Sequence, residues 1–264
     1  MTGSVPHQGQ TAMPRMSAPR TILLSIWTYL LIFGLGGLAF CLQCVLAPLT
    51  WPFDHGRRIT GRLFRLAAIG VTKLNPLWDF RLHKPLPPYR PRRCVVVSNH
   101  CSQTDPFLIS HLPWEMKWLG KASLFKVPIL GWAMFLAGDI PVVRGDRGSA
   151  KGAMARCRRY LMRDTPVMIF PEGTRALGDE MGPFKDGAFH LAIETGADVL
   201  PMAVAGTAAA LPKHDWRFGQ ARAYVAVGTP ISTRGLTLDD LPALKDQVRA
   251  EIQALRDQIT PLTG

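Results

Sequence analysis

Residues 21–53 carry no charged side chain, and a stretch of that length leaves water in almost any fold it joins. Its core, TILLSIWTYLLIFGLGGLAFCLQCVLA, would extend about 40 Å as one helix at ~1.5 Å per residue, enough to cross a hydrocarbon layer of ~30 Å with tilt. A cleaved signal peptide has a shorter apolar region and a small-residue cleavage site, and a buried core helix is shorter as well. Gly34, Gly36 and Gly37 sit mid-run, so a re-entrant hairpin returning to the same side competes with a full span. Either way the segment is expected to insert into a membrane.

Residues 1–20 are polar, lack acids and show no periodicity, and read as a disordered tail. After Pro52 the character changes to DHGRRITGRLFRLAAIGVTKL. Arg58, Arg62 and Arg65 share one helical face, and Ile59, Leu63 and Leu66 share another. That pattern predicts a basic amphipathic helix lying on an anionic bilayer surface, with an ordinary surface helix packed on the domain as the alternative. Lys73, Arg81, Lys84, Arg90, Arg92 and Arg93 follow, against only Arg15 and Arg20 before the apolar run. By the positive-inside rule the remainder of the chain faces the cytoplasm, as in a bacterial inner-membrane protein.

The formal net charge of +12 calls for an anionic partner: nucleic acid, acidic lipid or a phosphorylated substrate. The basic residues cluster beside the apolar segment, without a nucleic-acid module or an aromatic platform, which favours an anionic membrane lipid surface over nucleic acid. Hydrophobic residues at 47% and charged residues at 19% fit a membrane contact. The five cysteines form no even framework and suit a reducing compartment. Cys41 and Cys44 make a C-x-x-C, but within an apolar run and without a second ligand pair.

Residues 54–93 then read as the interfacial helix and a Pro-rich linker, and 94–264 as one catalytic domain. Within it strands are expected at 94–98, 140–143, 167–170, 199–204 and 222–227. Helices are expected at 105–110, 149–162, 185–194 and 238–258. The alternation predicts an α/β fold, a central sheet flanked by helices.

Two constellations carry chemistry. In VVVSNHCSQTDPF a strand runs into Asn99 and His100, and Asp105 opens a helix. Sites of open α/β folds lie at carboxyl ends of strands, and a strand–turn–helix would let Asp105 accept from one imidazole nitrogen while the other takes a proton. Asp105 followed by Pro106 is equally an ordinary helix start, and spacing alone does not separate the two. Cys101 or Ser102 as a covalent nucleophile is a weaker reading, because adjacent side chains on an extended strand end diverge. In PVMIFPEGTRALGDEMGPFKDGA a strand enters a turn presenting Glu172, Gly173, Thr174 and Arg175, a carboxylate, a hydroxyl and a guanidinium suited to phosphate.

Asn99-His100 with Asp105, an H-x4-D pattern, and Phe170 to Arg175 some seventy residues later resemble the first and third sequence blocks of the glycerolipid acyltransferases. The commonest members of that family are lysophosphatidate (1-acylglycerol-3-phosphate) acyltransferases. Gly138 to Arg144 resembles the second block, with Pro141 where a bulky apolar residue is more usual, and Val199 to Val204 resembles the fourth. The resemblance implies a central mixed sheet flanked by helices and acyl transfer to the free hydroxyl of a lysophospholipid acceptor. It implies His100 as general base oriented by Asp105, with no acyl-enzyme, metal or cofactor. Acyl-CoA or acyl carrier protein would serve as thioester co-substrate. Basic residues of the family hold the acceptor phosphate, and the matching positions are Arg175, Lys121 and Arg144, with Glu172 ordering the pocket. Backbone N–H groups at the start of the Asp105 helix are candidate donors to the oxyanion. The run LFKVPILGWAMFLAG either lines an acyl groove or is core or membrane-facing helix.

A lipid hydrolase would need a nucleophile, and no G-x-S-x-G is present. A non-catalytic lipid-binding protein is opposed by the complete His100, Asp105, Glu172 and Arg175 set. Among acceptors, 1-acylglycerol-3-phosphate leads, with glycerol-3-phosphate, another lysophospholipid or a lyso-ornithine lipid as alternatives.

Overall fold

The computed structural model describes residues 17–88, 90–175, 180–212 and 214–264. Most of the tail expected over residues 1–20 lies outside them; from Ala18 the chain is already helical.

Helix α1 (Ala18–Thr50) is continuous, and Gly34, Gly36 and Gly37 do not interrupt it. The chain reverses at residues 51–57, and α2 (Arg58–Leu74) runs back antiparallel, with Trp27 Nε1 donating to Leu74 O and Gln43 Nε2 to Thr60 O. The hairpin of the sequence reading is thus made by two helices, not by a break within one. A narrow stripe of α1, including Ser25, Thr28, Leu31, Gly36, Ala39 and Gln43, faces the protein and is buried. The opposite face exposes Leu23, Leu30, Phe33, Leu38, Leu42, Val45 and Leu49. Ser25 Oγ accepts from Phe218 N at 2.9 Å, and Gln43 Nε2 also reaches Ala133 O at 3.2 Å. These attachments are 18 residues apart, about 27 Å along a helix, so α1 lies against the domain for most of its length.

The arginine face of α2 is turned the other way from the expectation. Arg65 is 6% exposed and paired with Asp139, Arg62 donates to Leu112 O, and Arg58 donates to the carbonyls of Arg163 and Asp164. Ile59, Leu66 and Leu74 are exposed, and so is Arg58, at the start of the helix. The domain offers a carboxylate and fixed carbonyls, which satisfy guanidiniums that would be costly to bury unpaired. Lys117, fully buried beneath this contact, donates to Glu115 Oε1 at 3.0 Å and to the carbonyls of Arg57 and Ala137, each at 2.7 Å.

The remaining elements are β1 (Trp78–Leu82), β2 (Cys94–Ser98), α3 (Asp105–Ile109), β3 (Lys117–Lys121), α4 (Leu130–Ala137), β4 (Ile140–Val142), α5 (Arg147–Leu161) and β5 (Val167–Ile169). They continue with α6 (Gly187–Thr195), β6 (Asp198–Ala205), α7 (Thr207–Ala210), β7 (Ala221–Val227) and α8 (Leu241–Ile259). Seven strands form one mixed sheet in the order β1-β7-β6-β2-β5-β3-β4. From β6 to β4 all neighbours are parallel; β7 is antiparallel to β6 and parallel to β1.

Two strands lie outside the sequence reading. In β1, Trp78 and Phe80 are buried while Asp79 and Arg81 point outward, so the segment taken as a linker supplies an edge strand and the folded domain begins before Cys94. In β3, KWLGK has no β-branched residue and buries a lysine, so neither propensity nor pattern marks it.

CVVVS of β2 is buried on both faces, as a central parallel strand must be. Val95 and Val97 pack beneath α5, α6 and α8, whose Leu244, Val248, Ile252, Leu255 and Ile259 recur at helical spacing. Val96 faces the opposite core with Leu108, Ile109 and Trp118. Two apolar layers thus fix the sheet rigidly, and its carboxyl edge inherits that rigidity.

Candidate active site

Strands β2, β5, β3 and β4 are consecutive and parallel, so their carboxyl ends share one edge of the sheet. His100 follows β2, Glu172 to Arg175 follow β5, Lys121 ends β3, and Arg144 follows β4. Every residue singled out in the sequence therefore falls on this edge. At ~4.8 Å between strands, the row from β2 to β4 spans about 14 Å.

His100 Nδ1 donates to Asp105 Oδ2 at 2.7 Å. The carboxyl group of Asp105 is fully buried, and the same oxygen accepts from Cys101 N at 2.8 Å and Ser102 N at 3.0 Å. Its other oxygen accepts from Thr207 Oγ1. With Nδ1 committed, the imidazole carries its unshared pair on Nε2, and the side chain remains 11% exposed. The ring stacks on Phe170, centroids 4.2 Å apart and planes 20° off parallel. An imidazole fixed by a carboxylate on one side and an aromatic face on the other can take a proton without reorienting.

The amides expected to serve an oxyanion are committed elsewhere: those of Cys101 and Ser102 to Asp105, that of Asp105 to Ser102 O, and that of Phe107 to Thr104 O. The Asp105 carboxylate folds back over its own loop and takes the first two while backbone carbonyls take the others, so among the described residues the start of α3 presents no donor pair to the site.

Asn99 locks the strand tip. Its amide donates to Val204 O and its carbonyl accepts from Val204 N, both at 2.9 Å, stitching the end of β2 to β6. Glu172 ties the other side, with Oε1 accepting from His100 N and Oε2 from Gly182 N, each at 2.9 Å. It orders the pocket through backbone contacts and does not face an open site. Gly173 has φ +69°, and a Cβ there would stand 2.7 Å from Lys185 Nζ, so the turn requires glycine. Thr174 is exposed and Arg175 half-buried.

Arg144 is exposed, yet burial of part of its guanidinium and then the nearby Arg175 charge hold it below the usual arginine range. Two guanidiniums from different loops thus lie within electrostatic reach, an arrangement suited to an anion between them. Lys121, on the strand between, is exposed. Cys101 has its thiol pushed up to about 12 by burial and by the Asp105 carboxylate, which leaves it protonated and unfit as a nucleophile at neutral pH.

The sequence reading missed Thr207, which lies 102 residues from Asp105 and reaches it only because β6 ends beside β2. It also assigned no role to the ring of Phe170. In the run from Leu124 to Gly138, α4 buries Ala133, Met134 and Ala137 and exposes Trp132 and Phe135, with Trp132 against Phe40 of α1, centroids 5.6 Å apart. One side is core, and the other continues the exposed apolar face of α1.

The model of the Acyltransferase family matches residues 80–205. A 1-acyl-sn-glycerol-3-phosphate acyltransferase of Chlamydomonas reinhardtii is 33% identical over 79% of this chain and 63% of its own length. The alpha form of the human 1-acyl-sn-glycerol-3-phosphate acyltransferase is 38% identical over 62% of this chain and 58% of its own length. The chain therefore spans less than two thirds of both relatives. That of Haemophilus influenzae is 29% identical over 64% of this chain and 71% of its own length. The crystal structure of the 1-acyl-sn-glycerophosphate acyltransferase PlsC of Thermotoga maritima superposes with a TM-score of 0.70 at 21% identity, covering 91% of this chain and 98% of that one. That likeness extends over the helix pair as well as the sheet.

Proposed function

We propose that this chain, which resembles the 1-acyl-sn-glycerol-3-phosphate acyltransferases and matches the Acyltransferase family model over residues 80–205, acylates the free hydroxyl of 1-acylglycerol-3-phosphate, giving phosphatidate. The observation that carries the reading is the 2.7 Å contact between His100 Nδ1 and a fully buried Asp105, on the same sheet edge as Arg175 and Arg144.

The acceptor hydroxyl lies against Nε2 of His100 with its phosphate held by Arg175, Arg144 and Lys121. Nε2 removes the hydroxyl proton as the oxygen attacks the thioester carbonyl of acyl-CoA or acyl carrier protein, and Asp105 stabilises the imidazolium. The tetrahedral intermediate collapses, the C–S bond breaks, and the imidazolium returns its proton to the departing thiolate. Histidine and carboxylate account for every proton moved, so the route calls on no cofactor or metal. Glu172 and Asn99 act by holding the strand tip that carries the imidazole.

The attachments of α1 at Ser25 and Gln43 support a monotopic placement. A helix fastened along about 27 Å of the domain is not free to cross a bilayer, so its exposed apolar face and that of α4 enter one leaflet from the cytoplasmic side. Both lipid substrates then reach the sheet edge without leaving the membrane surface.

The test is a transfer assay with purified protein in detergent, one labelled acyl thioester and a panel of lyso-acceptors and glycerol-3-phosphate. His100→Ala is expected to abolish turnover with acceptor binding retained, and Arg175→Ala to raise the acceptor KM far more than the donor KM. Preference for a phosphate-free acceptor, or equal loss for both substrates in Arg175→Ala, refutes the assignment; no transfer to any acceptor leaves a lipid-binding role.

A further inference from the structure

A concavity of about 370 Å³ opens at the amino-terminal end of β4, on the edge of the sheet opposite to His100. Four arginines line it: Arg57 from the turn between α1 and α2, Arg156 and Arg159 from α5, and Arg163 just beyond. The side chains of Arg156 and Arg159 make no hydrogen bond or ion pair with any described residue. The two carboxylates of the lining are already engaged. Asp54 accepts from the amides of Arg58 and Ile59, each at 2.8 Å, and Asp139 is held by Arg65 and by Trp118 N at 3.0 Å. Asp139 is thus offset by Arg65, and four arginines face the one remaining carboxylate, Asp54, which leaves the recess with a net positive charge.

The recess is built, not incidental. Arg57 adopts φ +49°, a backbone conformation uncommon for a side chain of its kind. Its carbonyl is pinned by the buried ammonium of Lys117 at 2.7 Å, and its guanidinium donates to Phe135 O at 2.8 Å. The same guanidinium packs over the rings of Trp51 and Phe135, 5.5 and 5.6 Å from their centroids. Gly138, at φ +84°, forms part of the wall, and a Cβ there would stand 2.6 Å from Tyr160 Oη and 3.0 Å from Arg57 Cδ. Trp51 and Phe53, each 67% exposed, and Phe135 at 61% place the mouth where the apolar face of α1 ends. Exposed aromatic rings at the end of an apolar surface mark the depth of lipid headgroups, and basic pockets at that depth recognise anionic ones.

We propose that this cavity is a second anion site, distinct from the acceptor's, which binds the phosphate headgroup of an anionic bilayer lipid. The proposal needs α1 at a bilayer surface and nothing from the acyl-transfer reading.

The test uses full-length protein in a neutral detergent, titrated calorimetrically with dihexanoyl phosphatidylglycerol, dihexanoyl phosphatidylcholine and inorganic phosphate. A background carrying Arg175→Ala, Arg144→Ala and Lys121→Ala removes the acceptor's phosphate contacts and reports the second site alone. In it phosphatidylglycerol is expected to bind, and Arg156→Gln with Arg159→Gln to weaken that binding by about tenfold or more, two charge-assisted contacts being lost. The same pair of substitutions in the otherwise native chain should leave acyl transfer in detergent unchanged. Undiminished binding in the arginine double variant, equal binding of phosphatidylcholine, or equal binding of inorganic phosphate overturns the proposal. None of these results depends on turnover, so failure here is separable from failure of the catalytic reading.

Discussion

Thr207→Val removes one hydroxyl and keeps the shape of the side chain. Thr207 is fully buried, and its Oγ1 is the hydrogen-bond donor found on Oδ1 of Asp105 among the described residues; the other oxygen has the imidazole and two amides. Valine leaves Oδ1 facing a methyl group, at a position where both residues are fully shielded from bulk solvent. A hydrogen bond to a charged group contributes ~1.5–3 kcal/mol, and an unsatisfied buried acceptor costs ~1–3 kcal/mol. The two amides still hold Oδ2, so the loop should keep its path while the carboxylate loses the bond that fixes its rotation and presents Oδ2 to the imidazole less well aligned. If the whole loss appears at the transition state, where the ring is cationic, kcat falls by ~10- to 150-fold. KM for both substrates should stay near the wild-type value, because Thr207 touches neither. Steady-state kinetics in detergent micelles measures the split, and chemical denaturation should show a stability loss of about 1–3 kcal/mol. Thr207→Ser, which restores the hydroxyl, should recover kcat. A valine variant within about twofold of wild-type kcat, or a serine variant as slow as valine, refutes the claim that Thr207 positions Asp105.

Lys117→Met strips the ammonium from three acceptors and leaves Glu115 beside Arg65 at 3.9 Å, so denaturation should show a loss of about 3–5 kcal/mol, partly recovered by adding Glu115→Gln. His111 is held below the ordinary histidine range by burial, then by Lys73 and Arg62, so the unfolded chain binds the proton more readily. Its contribution to stability is present above the ordinary histidine pKa and is lost as pH falls from that value through the lower one of the folded state. His111→Gln, which keeps a donor at the Nε2 position facing Thr72 Oγ1 2.7 Å away, should flatten this part of the stability profile. With the Cys101 thiol pushed up to about 12, alkylation at mildly alkaline pH should consume the exposed Cys41 and Cys44 and spare Cys101, and Cys101→Ser should retain transfer; loss of activity in that serine variant would reopen covalent catalysis.

Much of the fold was legible because it rests on local signals. The unbroken apolar run, the VVV and VMI strands buried on both faces, and the helical spacing of α8 each follow from a few adjacent residues. The site was legible for the same reason: His100 to Asp105 and Phe170 to Arg175 are short motifs at strand ends, where a parallel sheet gathers them. WDFRL does alternate aromatic and charged residues, a strand signal passed over beside the Pro-rich stretch, whereas KWLGK carries none and is a strand because its neighbours in the sheet supply its partners.

What only tertiary structure decided was direction and distance. Arg58, Arg62 and Arg65 share a face by sequence, but whether that face meets lipid or protein depends on Asp139, which holds the buried Arg65 guanidinium, and on carbonyls from distant loops that take Arg58 and Arg62. The meeting of Thr207 with Asp105, and the gathering of Arg57, Arg156, Arg159 and Arg163 around one recess, likewise come from strands and helices far apart in the chain. Sequence fixes which side chains a short segment presents; the charges and donors they meet are set by long-range packing, because electrostatic and hydrogen-bond energies depend on neighbours in space.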